Sequence, residues 1–352
     1  MSEPQRARSI GIACGLAGAV LFGASAPLAK HLVGQVTPQL LAGLLYLGAA
    51  AALGPVVALR PRAAEARLTR SDLPLLISVA GFGGVAAPVL MLLGLQRVSA
   101  VTGSLLLNLE VVLTMAVAVI WFGEHLPRRA LAGSSVVVVA AALFAFEPGR
   151  VSVSLAGIGF LVAACACWAI DNNLTQRLSD RDPFHIVLFK TGAAATVNLT
   201  LAISLGAAWP MAGVILLALL LGATAYGMSI VLDAYALRML GAAREAAFFA
   251  SAPFFGVVVA VLVLGERLPA IAVVASVLML AGSYLLVTES HGHEHRHQAI
   301  DHDHRHRHDD DHHEHHHPGQ EAGAHAHPHH HEPLDHAHGH VSDSHHRHRH
   351  RG

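Results

Sequence analysis

Phe122-Gly-Glu-His-Leu-Pro127 recurs 142 positions later as Leu264-Gly-Glu-Arg-Leu-Pro269. The match extends without a gap over Ser99–Pro127 and Gly241–Pro269, and it also keeps Ala100, Val117, Ala118 and Val119. Chance readily gives a few apolar identities, but a Gly-Glu-x-Leu-Pro after each apolar run is a stronger sign of duplication. The sequence therefore predicts two related halves.

Apolar runs of membrane-spanning length fill both halves. A transmembrane helix needs roughly 20 mostly apolar residues, because the hydrocarbon core is about 30 Å thick and the helix rises about 1.5 Å per residue. Only 13% of the residues are charged, against about 25% in an average soluble domain. The predicted spans, numbered 1 to 10, are residues 9–29, 38–59, 73–95, 100–122, 130–146, 154–175, 184–206, 211–236, 243–264 and 269–287.

Each half then holds five spans, and an odd number inserts the second half upside down relative to the first, as in many secondary transporters. The fold class predicted is an all-α polytopic membrane protein of ten transmembrane helices in two inverted five-helix repeats. We place the repeats at residues 1–147 and 148–290, and a tail at residues 291–352. The apolar run after Arg6 and Arg8 is expected to be retained as span 1, and not cleaved as a signal peptide.

Short loops rich in Lys and Arg stay in the cytoplasm, and this rule sets the orientation. If the N-terminus is inside, twelve arginines fall on the inner side, while only Lys30, Arg97, Arg150 and Arg267 fall on the outer side. An even number of spans then places both termini in the cytoplasm, in a plasma or bacterial inner membrane. If span 5, the shortest, did not cross, the tail would lie outside.

The tail has a different composition from the body. It contains 25 of the 28 histidines, mixed with Asp, Glu and Arg, and almost no aliphatic residue, so we expect it to be disordered. Near pH 7 most imidazoles are neutral and suit Zn, Ni, Co or Cu. The predicted metal ligands are His302, His304, His306, His308, His312, His313, His315, His316, His317, His329, His330 and His331.

Four sequence patterns point to a known family: Leu105-Leu-Leu-Asn-Leu-Glu110, the Gly-Glu-x-Leu-Pro ending, Tyr235-Ala-Leu-Arg-x-x-Gly-Ala-Ala-Arg244 and Cys167-Trp-Ala-Ile-Asp-Asn-Asn-Leu174. Together they resemble EamA-type members of the drug/metabolite transporter superfamily, over about residues 9–287. The resemblance implies alternating access to a cavity between the halves. It leaves the solute open, and it defines no universal catalytic motif.

Ionisable residues inside the bilayer cost about 2.5–3.5 kcal/mol each on insertion scales, so each one invites a functional hypothesis. Glu110 lies near the middle of span 4, two residues after Asn108 and with Thr114 on the same helix face. We interpret Glu110 as a carboxylate that couples to protons or contacts a cation. The alternative is a structural hydrogen bond between helices.

Asp171 and Lys190 lie at similar depth in spans 6 and 7, which makes an ion pair feasible. Together with Trp168 and Asn172, and with Asn173, Thr175 and Asn198, they would line a cavity. A structural pair buried between the helices is the alternative. Asp233 and Glu245 are expected to be solvated or salt-bridged, and Cys165 and Cys167 to be packing residues. His31, His125 and His185 sit at different span ends, which argues against a metal site in the body.

No nucleotide-binding motif, nucleophile–base pair or basic stripe is visible, so we expect neither ATP-driven transport, nor an enzyme, nor nucleic-acid binding. The predicted function is secondary transport of a small solute, as an exporter, with no required cofactor. Its partners would be the lipid bilayer and a small-molecule or metal-ion substrate; monomer and homodimer both remain open. The solute is either a divalent metal ion supplied or regulated by the tail, or an organic metabolite. The third hypothesis is a membrane-anchored metal sensor or store that transports nothing.

Overall fold

The computed structural model describes residues 3–59, 68–122, 128–143, 154–178, 181–240 and 248–287, together with the backbone of four tail segments. Helices fall at all ten predicted spans. They are Glu3–Gly23 and Ser25–Val33 (span 1), Pro38–Leu59 (span 2), Leu73–Val79 and Ala87–Leu95 (span 3), Ala100–Leu106 and Leu109–Phe122 (span 4), Arg128–Leu143 (span 5), Leu155–Gln176 (span 6), Pro183–Ser204 (span 7), Ala212–Gly222 and Ser229–Leu240 (span 8), Ala252–Leu262 (span 9) and Ala270–Val287 (span 10).

Helix length agrees with a membrane environment. Spans 1 to 4 and 6 to 8 are each long and apolar enough to cross a bilayer by length and composition. Span 5 is a 16-residue helix, and the helices of spans 9 and 10 have 11 and 18 residues in the part of the chain that the structure describes. In lipid a helix satisfies every backbone hydrogen bond within itself, which is why apolar runs of this length adopt it.

Helix packing shows the duplication directly. Each span of the first repeat has its counterpart five spans later, so span 1 corresponds to span 6. Span 1 packs against span 8, and its counterpart span 6 packs against span 3. In the same way the contact of spans 2 and 8 matches that of spans 7 and 3, and the contact of spans 4 and 6 matches that of spans 9 and 1. Spans 2 and 7, spans 4 and 9, and spans 5 and 10 are counterparts that pack against each other. The main contacts are thus preserved when each span is exchanged with its counterpart in the other half. This symmetry confirms two five-helix repeats.

Interruptions of the helices follow the same repeat. Span 3 contains a π-helical segment at Ala80–Ala86, and span 8 contains one at Ala223–Met228, close to the 142-residue offset. Span 4 breaks in a turn at Leu107–Asn108, and a turn at residues 250–251 precedes the helix of span 9. Such irregular turns are frequent at functional sites, because they leave backbone groups unused by the helix. All four of these interruptions lie inside the predicted spans.

Glycines allow the two repeats to approach closely at spans 2 and 8. A Cβ atom at Gly48 would clash with the backbone carbonyl of Leu219, and one at Gly222 would clash with that of Leu45. Small residues at helix crossings are the usual device for backbone contact in lipid. Large apolar side chains such as Ile120 (75% exposed) and Leu262 (76% exposed) face outward instead, as expected where lipid is the solvent.

The structure describes only four short segments of the tail. Its four described segments are strands: β1 His291–Arg296 pairs antiparallel with β4 Asp335–His340, and β2 Ile300–His306 with β3 His325–His331. Any sequence can form backbone ladders, but two-stranded ladders without an apolar face are marginal in water. The strands therefore give the tail no packed core.

A polar site between the two repeats

The π-helical segment of span 3 offers its carbonyl groups to side chains from three other spans. The Gly83 oxygen accepts hydrogen bonds from the Tyr46 hydroxyl (2.9 Å) and from the Trp168 indole nitrogen (3.1 Å). The neighbouring Gly84 oxygen accepts one from Asn198 (3.2 Å). Spans 2, 6 and 7 are thereby joined to one irregular turn. Trp168 and Asn198, expected in a cavity lining, are both buried and engaged with backbone.

Asp171 and Lys190 form an ion pair beside this segment. Asp171 is only 2% exposed, and the Thr175 hydroxyl donates to its second oxygen at 3.3 Å. A Cβ atom at Gly83 would clash with the Asp171 carboxylate. The acid can therefore reach its place only because residue 83 has no side chain. The pair leaves no net charge at this point.

Glu110 lies in the first turn after the break in span 4. Its Oε1 accepts a hydrogen bond from the Asn172 amide at 2.9 Å, and the same amide lies 3.4 Å from the Thr114 hydroxyl. Asn172 is exposed and lies near the end of span 6, whereas Glu110 is partly buried and lies in the middle of span 4. Among the described residues, Glu110 lies in no ion pair. The structure therefore brings together Glu110, Thr114 and Asn172, with the Asn172 side chain exposed.

Asn108 faces away from this group. It is 4% exposed, donates to the Leu105 carbonyl at 3.2 Å and approaches the Met279 sulfur of span 10 at 3.7 Å. It holds the turn that interrupts span 4. Asn173 bonds the backbone carbonyl of Thr114 (3.0 Å), so it joins spans 6 and 4 from the interior.

An aromatic cluster beside the polar groups was not anticipated. The Tyr46 and Tyr226 rings stack with their centroids 5.8 Å apart, and Phe22 meets Tyr226 edge-on at 6.1 Å and Phe249 at 4.9 Å. Aromatic residues make up only 5% of the chain. Their presence at the interruptions of spans 8 and 9 could therefore have indicated this cluster from the sequence.

The remaining predicted residues are of two kinds: those whose side chains the structure describes and those whose side chains it does not. Cys165 is buried with its sulfur near the Leu106 carbonyl (3.8 Å), and His185 lies 3.0 Å from Asp182. No three His, Cys, Asp or Glu side chains cluster as a metal site within the described ranges. Outside those residues lie His125 and Glu245, as do the tail residues His308, His312, His313, His315, His316 and His317. For His302, His304, His306, His329, His330 and His331 the structure describes backbone only.

Sequence comparison supplies the family. The EamA-like transporter family matches residues 9–146 and again 155–288, once for each repeat. The chain belongs to the EamA-like transporter family. It is therefore a multi-pass membrane transporter, as the sequence patterns indicated.

Relatives of this EamA-like transporter carry related names. The chain is 28% identical over 286 residues to an uncharacterized transporter of Methanothermobacter thermautotrophicus, covering 76% of this chain and 83% of the relative. It is also 28% identical over 245 residues to a probable terminal-alkyne amino-acid exporter of Streptantibioticus cattleyicolor, covering 69% and 80%. A crystal structure of a protein 19% identical has a TM-score of 0.60 over 80% of this chain and 98% of the other, a likeness of fold.

Proposed function

We propose that this EamA-like transporter exports a small organic solute bearing a positively charged group, by exchange with protons at Glu110. The observation that carries the proposal is the Glu110–Asn172 contact, in which a carboxylate in the middle of span 4, without a described cationic partner, bonds an exposed amide. The neighbouring acid, Asp171, differs because Lys190 neutralises it.

Charge balance explains why Glu110 would couple two fluxes. A charged carboxylate at this depth costs about 2.5–3.5 kcal/mol, so it is stabilised by binding either a proton or a cation. One carboxylate cannot hold both at once, and binding of one therefore displaces the other. The amide of Asn172 and the hydroxyl of Thr114 add polar contacts for a solute.

The class of solute is suggested by a relative. The Streptantibioticus cattleyicolor relative is named a probable terminal-alkyne amino-acid exporter. An amino acid carries an ammonium group that suits Glu110. Tyr46, one of the two stacked tyrosines, bonds Gly83 beside Asp171 and adds an aromatic surface to the same polar region. We therefore place amino acids and related amines first among the solutes to be tested.

Export of a divalent metal ion is the second candidate, and the tail favours it. Twenty-five of the 28 histidines lie there, and imidazole binds Zn, Ni, Co and Cu. The tail would then load or regulate the pore from the cytoplasm, with both termini on that side. As part of this proposal, reporters fused to the N-terminus and after Val287 should lie on the same face of the membrane.

Proteoliposomes with an imposed pH gradient test the proposal. We expect wild-type protein to accumulate a radiolabelled amine or amino acid from a broad panel, and Glu110→Gln to lose gradient-driven accumulation by more than about tenfold. Asp233→Asn, the same chemical change near the end of span 8, is the matched control and should retain it. Accumulation by Glu110→Gln at the wild-type level would contradict the role of Glu110.

Metal flux is measured in the same vesicles with labelled nickel and zinc. Metal accumulation that disappears in a chain ending at Ser290 would favour the second candidate over the first. No flux of any solute, together with tight metal binding by the whole chain, would favour the sensor or store.

A further inference from the structure

Glu266 joins the two repeats at one end of the bundle, which we call the capped end and define by loops 34–37, 96–99 and 263–269. Its two carboxylate oxygens accept hydrogen bonds from the backbone N–H groups of Ala100 (2.8 Å) and Val101 (3.0 Å). Glu266 belongs to the second repeat and span 4 to the first. The contact therefore closes across the boundary between the repeats.

The repeated Gly-Glu motif builds this contact. Gly265 has a φ of 66°, in the left-handed region that glycine adopts without strain. The Glu266 N–H then returns to the Ala260 carbonyl in the last turn of span 9 (3.1 Å). This turn directs the residue after the glycine away from span 9 and toward the start of span 4. The first copy, Gly123-Glu124, lies outside the described residues.

The start of span 4 is thereby capped by side chains. The Ser99 hydroxyl accepts the Thr102 N–H at 3.0 Å, so three of the four N–H groups that the helix cannot use have side-chain partners. Two of the three depend on Glu266. A negative charge at a helix N-terminus is also favoured by the helix dipole.

The two halves of span 4 differ in burial. All seven residues of Ala100–Leu106, between the cap and the break, are buried, whereas none of residues 109–121 is. Glu110 and the exposed Asn172 lie beyond the break, on the side away from the capped end. The half of span 4 next to the capped end is therefore closely packed in this conformation, and the polar site lies beyond it.

We propose that Glu266 is a latch: its carboxylate holds span 4 against the second repeat, closes the capped end, and must release in each transport cycle. Alternating access requires the repeats to move against each other, and a contact across their boundary at the closed end has to break. Glu266 is a positioning residue, because it acts through span 4 on Glu110. The inference rests on transport by this family and not on the identity of the solute.

Sidedness of cysteine labelling tests the latch. Thr102→Cys places a thiol in the buried half-helix, where Thr102 is 9% exposed. Its reaction with a membrane-impermeant maleimide is followed by peptide mass spectrometry in right-side-out and inside-out vesicles. We expect slow labelling from both sides in the otherwise wild-type chain. Adding Glu266→Ala should raise the rate about tenfold from the capped side only, and Glu266→Gln, which keeps one acceptor oxygen, should raise it less.

Arg267→Gln is the matched control, since it removes a charge from the exposed neighbouring residue of the same loop. It should leave the labelling rate within about twofold of the parent. A merely structural role for Glu266 would raise labelling from both sides. That result, an unchanged rate in Glu266→Ala, or an equal rise in Arg267→Gln would overturn the latch. If Glu266→Ala loses its fold, Glu266→Gln carries the test by the same criteria.

Discussion

At the scale of single residues, the polar side chains of span 6 make different kinds of contact. Trp168, Asp171, Asn172 and Asn173 are nearly consecutive, so they point in different directions around the helix. Trp168 and Asn173 bond backbone groups of spans 3 and 4, Asp171 is neutralised by Lys190, and Asn172 reaches the exposed site. The run joins span 6 to spans 3 and 4, and the Asn172 amide is the one that we propose contacts the solute.

Gly83→Ala is predicted to destabilise the protein, because the added methyl group would meet the Asp171 carboxylate. Overpacking of this kind costs about 1–3 kcal/mol. Gly81→Ala, in the same π-helical segment with nothing within 4 Å of its Cβ position, should be neutral. Thermal unfolding in detergent compares the two. Equal melting temperatures would show that the acid moves aside without loss.

The Asp171–Lys190 pair gives a second prediction. Lys190→Ala alone leaves a carboxylate uncompensated where Asp171 is 2% exposed, which costs about 3–5 kcal/mol for buried pairs. The double variant with Asp171→Ala removes both charges and should be more stable than the single one. Transport by the double variant would exclude both residues from the mechanism, and its loss in a folded protein would support a role in gating.

At the scale of elements, the interruptions of the helices supply the backbone groups that bind side chains from other spans. Spans 3 and 8 each contain a π-helical segment, and span 4 and the region before span 9 each contain a turn. Backbone carbonyls of the span 3 segment bind side chains from spans 2, 6 and 7. We expect the repeats to bend at these places during transport, because no continuous α-helix has to break there.

Close packing of spans 2 and 8 is testable with a glycine pair. Gly48→Ala should disturb the contact with the Leu219 carbonyl and lower stability by about 1–3 kcal/mol. Gly54→Ala, on the same span with open space around its Cβ position, is the control and should have no such effect. The melting temperatures of the two purified variants check this. A stable Gly48→Ala protein would mean that spans 2 and 8 separate at little cost.

At the scale of the whole molecule, body and tail are expected to be independent. The described tail strands pair only with each other, and the bundle core is built from residues before 288. A chain ending at Ser290 should therefore keep its melting temperature and lose binding of Zn or Ni, which isothermal calorimetry measures. A large drop in melting temperature would reveal contacts between tail and bundle.

The sequence by itself determined the ten spans, the two repeats and the family. Bilayer thickness fixes the length of an apolar helix, and the duplicated Gly-Glu-x-Leu-Pro is a short run of consecutive residues. Both can therefore be recognised in the sequence alone. Only the tertiary structure decided that Glu266 caps span 4, that Trp168 bonds Gly83, and that Glu110 meets Asn172. Those partners lie 62 to 166 residues apart, and which helix faces meet depends on packing between spans that no local pattern encodes.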